Sequence, residues 1–198
     1  MLNSSERERM RAGAEYNSRD PELLALAHRA RALCAQYAAL PSTDAKGRLD
    51  ALRALLGEVG EGVWIEPPFF CDYGAHIHIG ADSFLNVNCV LLDSADIRIG
   101  RNTLLGPGVQ LLTATHPLSA AERIVPKTER AAGQPAYRTQ ARPITIGDNV
   151  WLGANVVVLP GVTIGDNVTV GAGSVVTRDI PSDVLAIGQP CRVVRDLP

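Results

Sequence analysis

The chain has 198 residues, 46% of them hydrophobic, and a formal net charge of −2. This length suffices for one sizeable domain, or for a domain with a small helical lobe. The near-neutral charge and scattered basic residues give no reason to expect nucleic acid or an anionic membrane surface as a partner, and no segment is long and apolar enough to span a bilayer.

The N-terminus and the cysteines both bear on the cellular compartment. The first residues, MLNSSERERMRAG, are charged and lack the apolar core of a signal peptide. The four cysteines, Cys34, Cys71, Cys89 and Cys191, form no CxxC pair and do not have the spacing of a disulfide scaffold. These features favour reduced thiols in a cytoplasmic protein.

Up to about residue 60 the apolar pattern is helical, which predicts a small N-terminal lobe over residues 1–60. Asp20 is the expected N-cap of a helix with Pro21 in its first turn. The apolar face of this helix consists of Leu23, Leu26, Ala27, Ala30, Leu33, Cys34 and Tyr37. Ser42 or Thr43 is predicted to cap the next helix. The stripe of that helix consists of Leu49, Leu52 and Leu56.

From Ile79 onward the spacing of aliphatic residues changes to six. The first run, with a two-residue slip after its fourth member, comprises Ile79, Leu85, Leu91, Ile97, Ile99, Leu105 and Leu111. The second run comprises Ile146, Leu152, Val158, Ile164, Val170 and Val176, and four residues after each of these lie Val150, Val156, Val162, Val168, Ser174 and Ile180. This period fits neither a helix nor a half-buried strand. It is typical of a hexapeptide solenoid, in which three hexads complete one triangular coil of about 18 residues.

A second periodicity supports the solenoid. The tetrapeptide IGDN begins at Ile146 and again at Ile164, one coil apart. Glycine, asparagine and aspartate suit the corners of such a prism, where the backbone φ angle can turn positive. The predicted fold is therefore a parallel β-helix over residues 61–190, followed by a C-terminal tail over residues 191–198.

Residues 117–142 interrupt the repeat. They are polar, contain proline and lack periodicity, which predicts a loop excursion from one corner that returns at Ile144. The hexad phase places Thr115 in an inward-leaning position, so His116 is expected to point out of the prism beside the excursion. A lone histidine is more often a solvated or packing residue, but its place on a rigid wall beneath a long loop favours a functional role.

Two further histidines raise a metal hypothesis. His76 and His78 alternate with Ile77 and Ile79, so both imidazoles are expected to face outward on one strand. With His116 they would make three imidazoles on a hexapeptide helix, as in the gamma class of carbonic anhydrases, and imidazoles suit zinc or cobalt. However, almost two coils separate the pair from His116, which disfavours a shared metal ion.

Several segments, in order, closely resemble the maltose and galactoside O-acetyltransferases. They are ERMRAG near the start, WIEPPFFCDYGAHIHIG, NVNCVLLD, TATHPL, PITIGDNVWLGANVVVLPGVTIGDNVTVGAGSVVTRDIP and GQPCRVVR. The resemblance covers nearly the whole chain. It implies a mainly β fold, a left-handed parallel β-helix with a small N-terminal α-helical lobe. It also implies a homotrimer with active sites between subunits, acetyl-CoA as co-substrate and no metal.

The resemblance also implies roles for individual residues. His116, in TATHPL, matches the family's catalytic base. The positions that match contacts to the acceptor are Asn17, Ser18, Asp72, Asn86, Asp93 and Ser94; the family often has an aspartate near the first two. The positions that match contacts to CoA are Ala154, Ala172, Thr177, Arg178, Arg192 and Arg195. Gly153 is also expected on the CoA side, and a backbone N–H near Gly153 and Ala154 is the expected donor to the oxyanion.

The resulting hypothesis is acetyl transfer from acetyl-CoA to a hydroxyl of a sugar or sugar-like acceptor in a ternary complex. A neutral imidazole is a suitable base for the attacking hydroxyl near pH 7. Three alternatives stay open: an acetyltransferase for an antibiotic or serine, a metal-dependent carbonic anhydrase-like enzyme, and a non-catalytic scaffold. The N-terminal lobe favours a sugar acceptor by analogy. The excursion is longer than in many relatives and is expected to shape the acceptor site.

Overall fold

The computed structural model describes residues 4–198. A small helical lobe precedes a three-sided parallel β-solenoid, which confirms the predicted fold class. In the described part of the chain, no helix combines the length and the apolar character needed to cross a membrane.

Three helices form the lobe, and a short fourth one lies in the excursion. They are α1 (Glu6–Arg11), α2 (Pro21–Ala39), α3 (Ala45–Leu55) and α4 (Ala120–Arg123). Asp20 caps α2 as predicted, because its side chain accepts a hydrogen bond from a first-turn backbone N–H. The prediction for α3 was wrong: Asp44, not Ser42 or Thr43, accepts the N–H of Gly47 at 2.9 Å.

The lobe packs on the first coil through the face that the spacing predicted. Its buried members are Leu23, Ala27, Ala30 and Tyr37, while Leu26, Leu33 and Cys34 are partly buried. The Tyr37 hydroxyl donates to the backbone carbonyl of Ile65 in the solenoid. From α3, Leu52 and Leu55 are 1% exposed and join the same core. The lobe therefore covers one end of the solenoid core.

The strands are short and numerous. They are β1 (Glu58–Val59), β2 (Trp64–Ile65), β3 (Phe70–Cys71), β4 (Ile77–Ile79), β5 (Phe84–Leu85), β6 (Val90–Leu92), β7 (Ile97–Ile99), β8 (Leu104–Leu105), β9 (Gln110–Leu112), β10 (Ala114–Thr115), β11 (Gln140–Ala141), β12 (Ile144–Ile146), β13 (Trp151–Leu152), β14 (Val157–Val158), β15 (Thr163–Ile164), β16 (Thr169–Val170), β17 (Val175–Val176), β18 (Val184–Gly188) and β19 (Cys191–Asp196).

Successive strands of the solenoid go to three different sheets. Sheet 1 has the order β1-β4-β7-β12-β15, sheet 2 the order β19-β18-β16-β13-β8-β5-β2, and sheet 3 the order β17-β14-β9-β6-β3. Neighbours are parallel, except that β19 runs antiparallel to β18. The segment predicted as a C-terminal tail therefore contains the last strand of sheet 2.

The core consists of the two sets of residues that the six-residue period identified. Leu105, Leu152 and Val170 stack in register across sheet 2, and each is at most 1% exposed. Val156 and Val168, from the second set, are fully buried. Truncating one such leucine to alanine costs about 2–5 kcal/mol in a close-packed core.

The corners have the predicted chemistry. Residues with positive φ include Asp82, Asn88, Asn102, Asn149, Asn155, Asn167 and Asp183. Their side chains bond from coil to coil: Nδ2 of Asn149 donates to Oδ1 of Asn167 at 2.9 Å, and Nδ2 of Asn167 to Oδ1 of Asp183 at 2.7 Å. Asparagine and aspartate thus provide both the left-handed turn and a bond along the corner.

The excursion begins earlier than the hexad phase predicted. Thr113 is the buried threonine, and its hydroxyl donates to the Leu92 carbonyl. Thr115 was expected to lean inward; instead it is half-buried and pairs with Gln140 in the antiparallel β10–β11 ribbon. The chain leaves the coil directly after Thr113, so the phase no longer applies to Thr115. The exposed position expected for His116 is nevertheless correct.

Candidate active site

His116 lies exposed at the base of the excursion, directly after β10. Its Nδ1 atom is 2.7 Å from the backbone carbonyl oxygen of Arg138. A carbonyl oxygen can only accept a hydrogen bond, so Nδ1 carries a proton and donates it. In the neutral ring, Nε2 then keeps its free lone pair. The ring also packs edge-on against Tyr137, with centroids 5.3 Å apart. The imidazole is therefore held in the Nδ1–H tautomer, in which Nε2 can accept a proton.

The excursion is a folded ribbon rather than an open loop. The backbone N–H of Arg138 donates to the carbonyl of Arg123 at 2.8 Å. The guanidinium of Arg123 donates in turn to the carbonyl of Leu118 at 3.0 Å. The N–H of Tyr16, from the segment between α1 and α2, donates to the carbonyl of Thr139 at 3.3 Å. These bonds hold the returning strand beside His116.

A cleft of about 300 Å³ lies between this ribbon and the N-terminal segment. Its lining includes Glu15, Tyr16, Asn17, Glu129, Tyr137 and Arg138. Asn17 was predicted to contact the acceptor and does line the cleft; its N–H donates to the Glu6 carboxylate. Ser18 follows it and is half-buried. The cleft places polar groups of the excursion and of the N-terminal segment around one space.

The other predicted site residues are distributed over two corners of the prism. Corner A comprises the turns that follow the strands of sheet 2, and it carries Asn86, Gly153, Ala154 and Ala172. Corner B comprises the turns that follow the strands of sheet 3, and it carries Asp72, Asp93, Ser94, Thr177 and Arg178. His116 follows β9 and thus belongs with corner B. Because sheet 3 lies between the corners, one protomer does not bring His116 beside Ala154 and Ala172.

Asp72 is a half-buried carboxylate on corner B. Burial and, to a smaller extent, the charge of the neighbouring Asp93 raise its pKa, Arg31 lowers it, and the net result is a pKa of about 6. A carboxyl group that titrates near neutrality is common at functional sites.

Asp93 and Ser94, two of the predicted acceptor contacts, are buried on corner B. The Asp93 carboxylate is fully buried and accepts the N–H of Tyr73 at 2.8 Å and that of His76 at 3.3 Å. Ser94 is 3% exposed, and its Oγ accepts the hydroxyl of Tyr16 at 3.2 Å. Both side chains are hydrogen-bonded within the protein and form part of the wall beneath the site. Their contact with the acceptor stays a prediction.

Corner A distinguishes the two predicted oxyanion donors, Gly153 and Ala154. The N–H of Gly153 donates to the carbonyl of Val170 at 2.8 Å, so it is not free to bind an oxyanion. A Cβ atom at Gly153 would lie 2.6 Å from the backbone nitrogen of Ala172, so glycine permits the close stacking of the two turns. The half-buried Ala154 follows and becomes the candidate donor. On the same corner, Asn86 is half-buried and its Oδ1 accepts the N–H of Val87.

The remaining positions predicted to bind CoA are exposed. Thr177 and Arg178 follow β17, and Ala172 follows β16. Arg192 and Arg195 lie on β19, opposite Ile187 and Leu185 of β18. Arginine guanidinium groups suit phosphate oxygens, which they bind in a bidentate manner.

The histidines do not form a common metal site. His76 was expected to face outward, but it is 1% exposed, and its Nδ1 lies 2.8 Å from the backbone carbonyl oxygen of Asp93. Only His78 of the pair points toward the surface, where its Nδ1 lies 3.7 Å from Glu58. Across residues 4–198, no group of three or more His, Cys, Asp or Glu side chains is arranged to hold a metal ion. The hypothesis of a three-histidine site is therefore wrong.

Two contacts of the site had no signal in the sequence. Glu15 forms an ion pair with Arg138, and Tyr16 bonds to Ser94. Each joins residues far apart in the chain and depends on how the aperiodic excursion folds, which no local pattern indicates.

The comparisons with known proteins agree with this geometry. Residues 143–178 match the family model described as bacterial transferase hexapeptide (six repeats), and residues 9–60 match the maltose acetyltransferase hexapeptide capping motif. Nodulation protein L of Rhizobium meliloti (strain 1021) is 44% identical over 192 residues, 97% of this chain and 99% of that protein. Galactoside O-acetyltransferase of Escherichia coli (strain K12) is 38% identical over 196 residues, 99% of this chain and 91% of that protein. The chain belongs to the maltose and galactoside O-acetyltransferase family.

Solved structures of this family have the same architecture. A maltose O-acetyltransferase from Clostridium difficile 630 superposes with a TM-score of 0.88 at 39% identity, covering 98% of each chain. A hexapeptide-repeat-containing acetyltransferase from Vibrio cholerae O1 biovar eltor, complexed with acetyl coenzyme A, has a TM-score of 0.83 at 37% identity and covers 98% of this chain and 100% of that chain. The resemblance read from the motifs is confirmed, and the chain is an acetyltransferase of the hexapeptide-repeat type.

Proposed function

We propose that this acetyltransferase transfers the acetyl group of acetyl-CoA to a hydroxyl of a sugar or sugar-like acceptor in a ternary complex. The observation that carries the proposal is the hydrogen bond from His116 Nδ1 to the Arg138 carbonyl, which leaves Nε2 free to accept a proton. Relatives that match along nearly the whole chain act on galactosides and maltose by name, or hold acetyl-CoA.

His116 is the proposed general base. A hydroxyl is a poor nucleophile until its proton is removed during attack on the thioester carbonyl, and Nε2 takes that proton. The tetrahedral intermediate then collapses, the C–S bond breaks, and the imidazolium returns the proton to the CoA thiolate. In this scheme the acetyl group passes directly to the acceptor, and the protein forms no covalent intermediate.

The Ala154 N–H is the proposed donor to the oxyanion of that intermediate. A backbone N–H on a rigid turn is preorganised for this task, since it does not reorient during the reaction. Ala172, one coil further along corner A, and the exposed arginines at positions 178, 192 and 195 are the proposed contacts to CoA. The arginines supply positive charge for its phosphates.

A homotrimer is the assembly that completes this site. Corner A carries the proposed oxyanion donor and corner B the base, so the two must come from different protomers to act together. Sheet 2 also presents apolar side chains outward in register: Phe84, Leu104 and Trp151, of which Leu104 is 47% and Trp151 54% exposed. Burying this ladder against a neighbouring prism supports the assembly, because cyclic trimers repeat one such interface around the axis.

The acceptor is proposed to bind between His116 and the cleft lined by Asn17. Asn17 and Asp72 offer hydrogen bonds to hydroxyl groups, and Tyr137 offers an aromatic face for a sugar ring. Asn86 would reach the same acceptor from corner A of the neighbouring protomer.

Two measurements on the purified protein test this function. Calorimetric titration with acetyl-CoA should show saturable binding; a flat titration would favour a non-catalytic scaffold. Release of free CoA thiol is then followed with glucose, maltose, galactosides, aminosugars, serine and an aminoglycoside. Turnover with the sugars is expected, and preferential turnover of serine or the aminoglycoside would contradict the proposed acceptor class.

A further inference from the structure

The carbonyl oxygen that holds His116 belongs to a residue that is itself anchored to the N-terminal segment. Nη1 of Arg138 lies 3.2 Å and 3.3 Å from the two carboxylate oxygens of Glu15. The backbone of Arg138 thus orients His116, while its side chain is held by another part of the fold.

Glu15 is held in turn by α1. The guanidinium of Arg9 donates to the backbone carbonyl of Glu15 through Nε at 3.0 Å and Nη2 at 2.7 Å. A capping box between Ser5 and Glu8 fixes the start of α1. A continuous series of contacts therefore runs from α1 through Glu15 and Arg138 to the imidazole of His116.

We infer that Glu15 and Arg138 are positioning residues for His116: their ion pair holds the excursion so that the Arg138 carbonyl stays against Nδ1. This inference rests on the proposed role of His116 as base. The ion pair is partly exposed, with 37% of the Arg138 side chain and 42% of the Glu15 side chain accessible. Such pairs contribute little to global stability. Its loss should therefore affect the orientation of His116 more than the stability of the fold.

The test measures turnover and the tautomer of His116 together. Glu15→Gln removes the negative charge, and we expect kcat to fall by about tenfold, since small misplacements of a catalytic group are costly. The KM for acetyl-CoA should stay within about twofold, because the proposed CoA contacts lie elsewhere. In ¹⁵N-histidine spectra of the neutral ring, assigned with His116→Ala, the parent should show the Nδ1–H tautomer and Glu15→Gln a mixture of both tautomers.

Charge reversal tests whether the pair itself matters. Glu15→Arg and Arg138→Glu each place like charges opposite one another and should lower kcat, whereas the double variant restores an opposite pair and should recover much of the loss. Arg138→Lys keeps the charge and should retain most of the turnover. Asp50→Asn, which breaks the exposed Lys46–Asp50 pair on α3, is the matched control and should leave kcat unchanged.

The outcomes separate this inference from the proposed function. If His116→Ala keeps turnover, the base assignment fails. If His116→Ala is inactive while Glu15→Gln retains parental kcat and the Nδ1–H tautomer, the base assignment stands and the positioning role is overturned. A fall in kcat that matches a loss of folded protein in melting curves, with an unchanged tautomer, would also overturn it.

Discussion

The imidazole of His116 and the backbone carbonyl of Arg138 are 22 residues apart in the chain and 2.7 Å apart in space. Because the partner is a backbone atom, the side chain at position 138 does not itself bond to His116. The contact depends on the path of the excursion, which the β10–β11 ribbon and the Tyr16–Thr139 bond determine together with the Glu15–Arg138 ion pair. The orientation of the His116 imidazole therefore depends on how the excursion folds.

Replacing His116 with alanine should abolish turnover and preserve the fold. The exposed imidazole is not part of the core, so the variant should assemble and bind acetyl-CoA as the parent does. Loss of a general base lowers the rate by about 100- to 10,000-fold. Thiol release and calorimetry measure the two properties separately. His28→Ala, at an exposed histidine of α2, is the control and should remain fully active. Activity of His116→Ala within a few-fold of the parent would contradict the assignment.

Mixed trimers should show that the two corners cooperate across an interface. His116→Ala disables corner B, and Ala172→Trp is expected to block the exposed CoA position on corner A. If each site takes one corner from each of two neighbours, randomly mixed trimers contain about a quarter intact sites. Differently tagged chains can be co-expressed at equal levels, and thiol release is measured on the unfractionated trimers, whose tags report the ratio of the two chains.

A mixture of the parent with a chain that carries both His116→Ala and Ala172→Trp calibrates this measurement. It should also give about a quarter intact sites if sites lie between protomers, and about half if each site lies within one protomer. Inactive mixtures of the two single variants would place the whole site in one chain.

Asp72 should make stability depend on pH in an unusual direction. Its pKa is raised to about 6 when folded, against about 3.9 in an unfolded chain. The folded state therefore binds the proton more tightly, and the stabilisation present at low pH is lost as the pH rises from about 4 to about 6. Above that range the ionised, half-buried carboxylate destabilises the fold. Asp72→Asn removes this cost, so its melting temperature should exceed that of the parent at pH 7.5, with a smaller difference at pH 4.

Asp50→Asn is the control, because the pKa of Asp50 is lowered in the folded state whereas that of Asp72 is raised. The hydrogen bond and charge of Lys46 lower the pKa of Asp50, so its ionised form is favoured in the folded state, and the variant should gain nothing at pH 7.5. An equal gain for Asp72→Asn at both pH values would show that the effect comes from packing and not from ionisation.

The regular part of the molecule was predictable because its signal is local and repeated. Leu152 and Val156 are buried as the six-residue period requires, and asparagines such as Asn167 occupy the positive-φ corners. The errors within the solenoid lie where the repeat stops or where a distant residue intervenes. The inward position predicted for Thr115 is wrong because the chain leaves the coil directly after Thr113. The outward orientation that strand alternation predicts for His76 is wrong because its imidazole is buried and bonds to the backbone of Asp93, from the next coil.

The sequence identified candidate site residues but not their arrangement in space. The sequence order of His116, Ala154 and Ala172 gives no sign that they occupy two corners, since that depends on which sheet each preceding strand joins. Likewise, the burial of Asp93 and Ser94 follows from contacts with Tyr73 and Tyr16, which lie on different segments.

Acceptor preference should change when the tip of the excursion is removed. The N–H of Val125 donates to the carbonyl of Ala136 at 3.0 Å, and Ile124 bridges Tyr137 in antiparallel register. Residues 126–135 therefore connect two paired strands and can be replaced by Asn-Gly, which forms a two-residue hairpin turn. This deletion removes Glu129 from the cleft but keeps Arg138 and its bond to His116.

The shortened protein should keep the acetyl-CoA KM and the oligomeric state of the parent, because corner A and sheet 2 are unaltered. Its order of preference among glucose, maltose, galactosides and aminosugars should change, as measured by thiol release. A variant with residues 126–135 replaced by a Gly/Ser segment of the same length separates the loss of side chains from the loss of length. If both variants retain the parental order, the tip of the excursion does not contribute to acceptor selection, and specificity lies in Asn17, Asp72 and the wall around them.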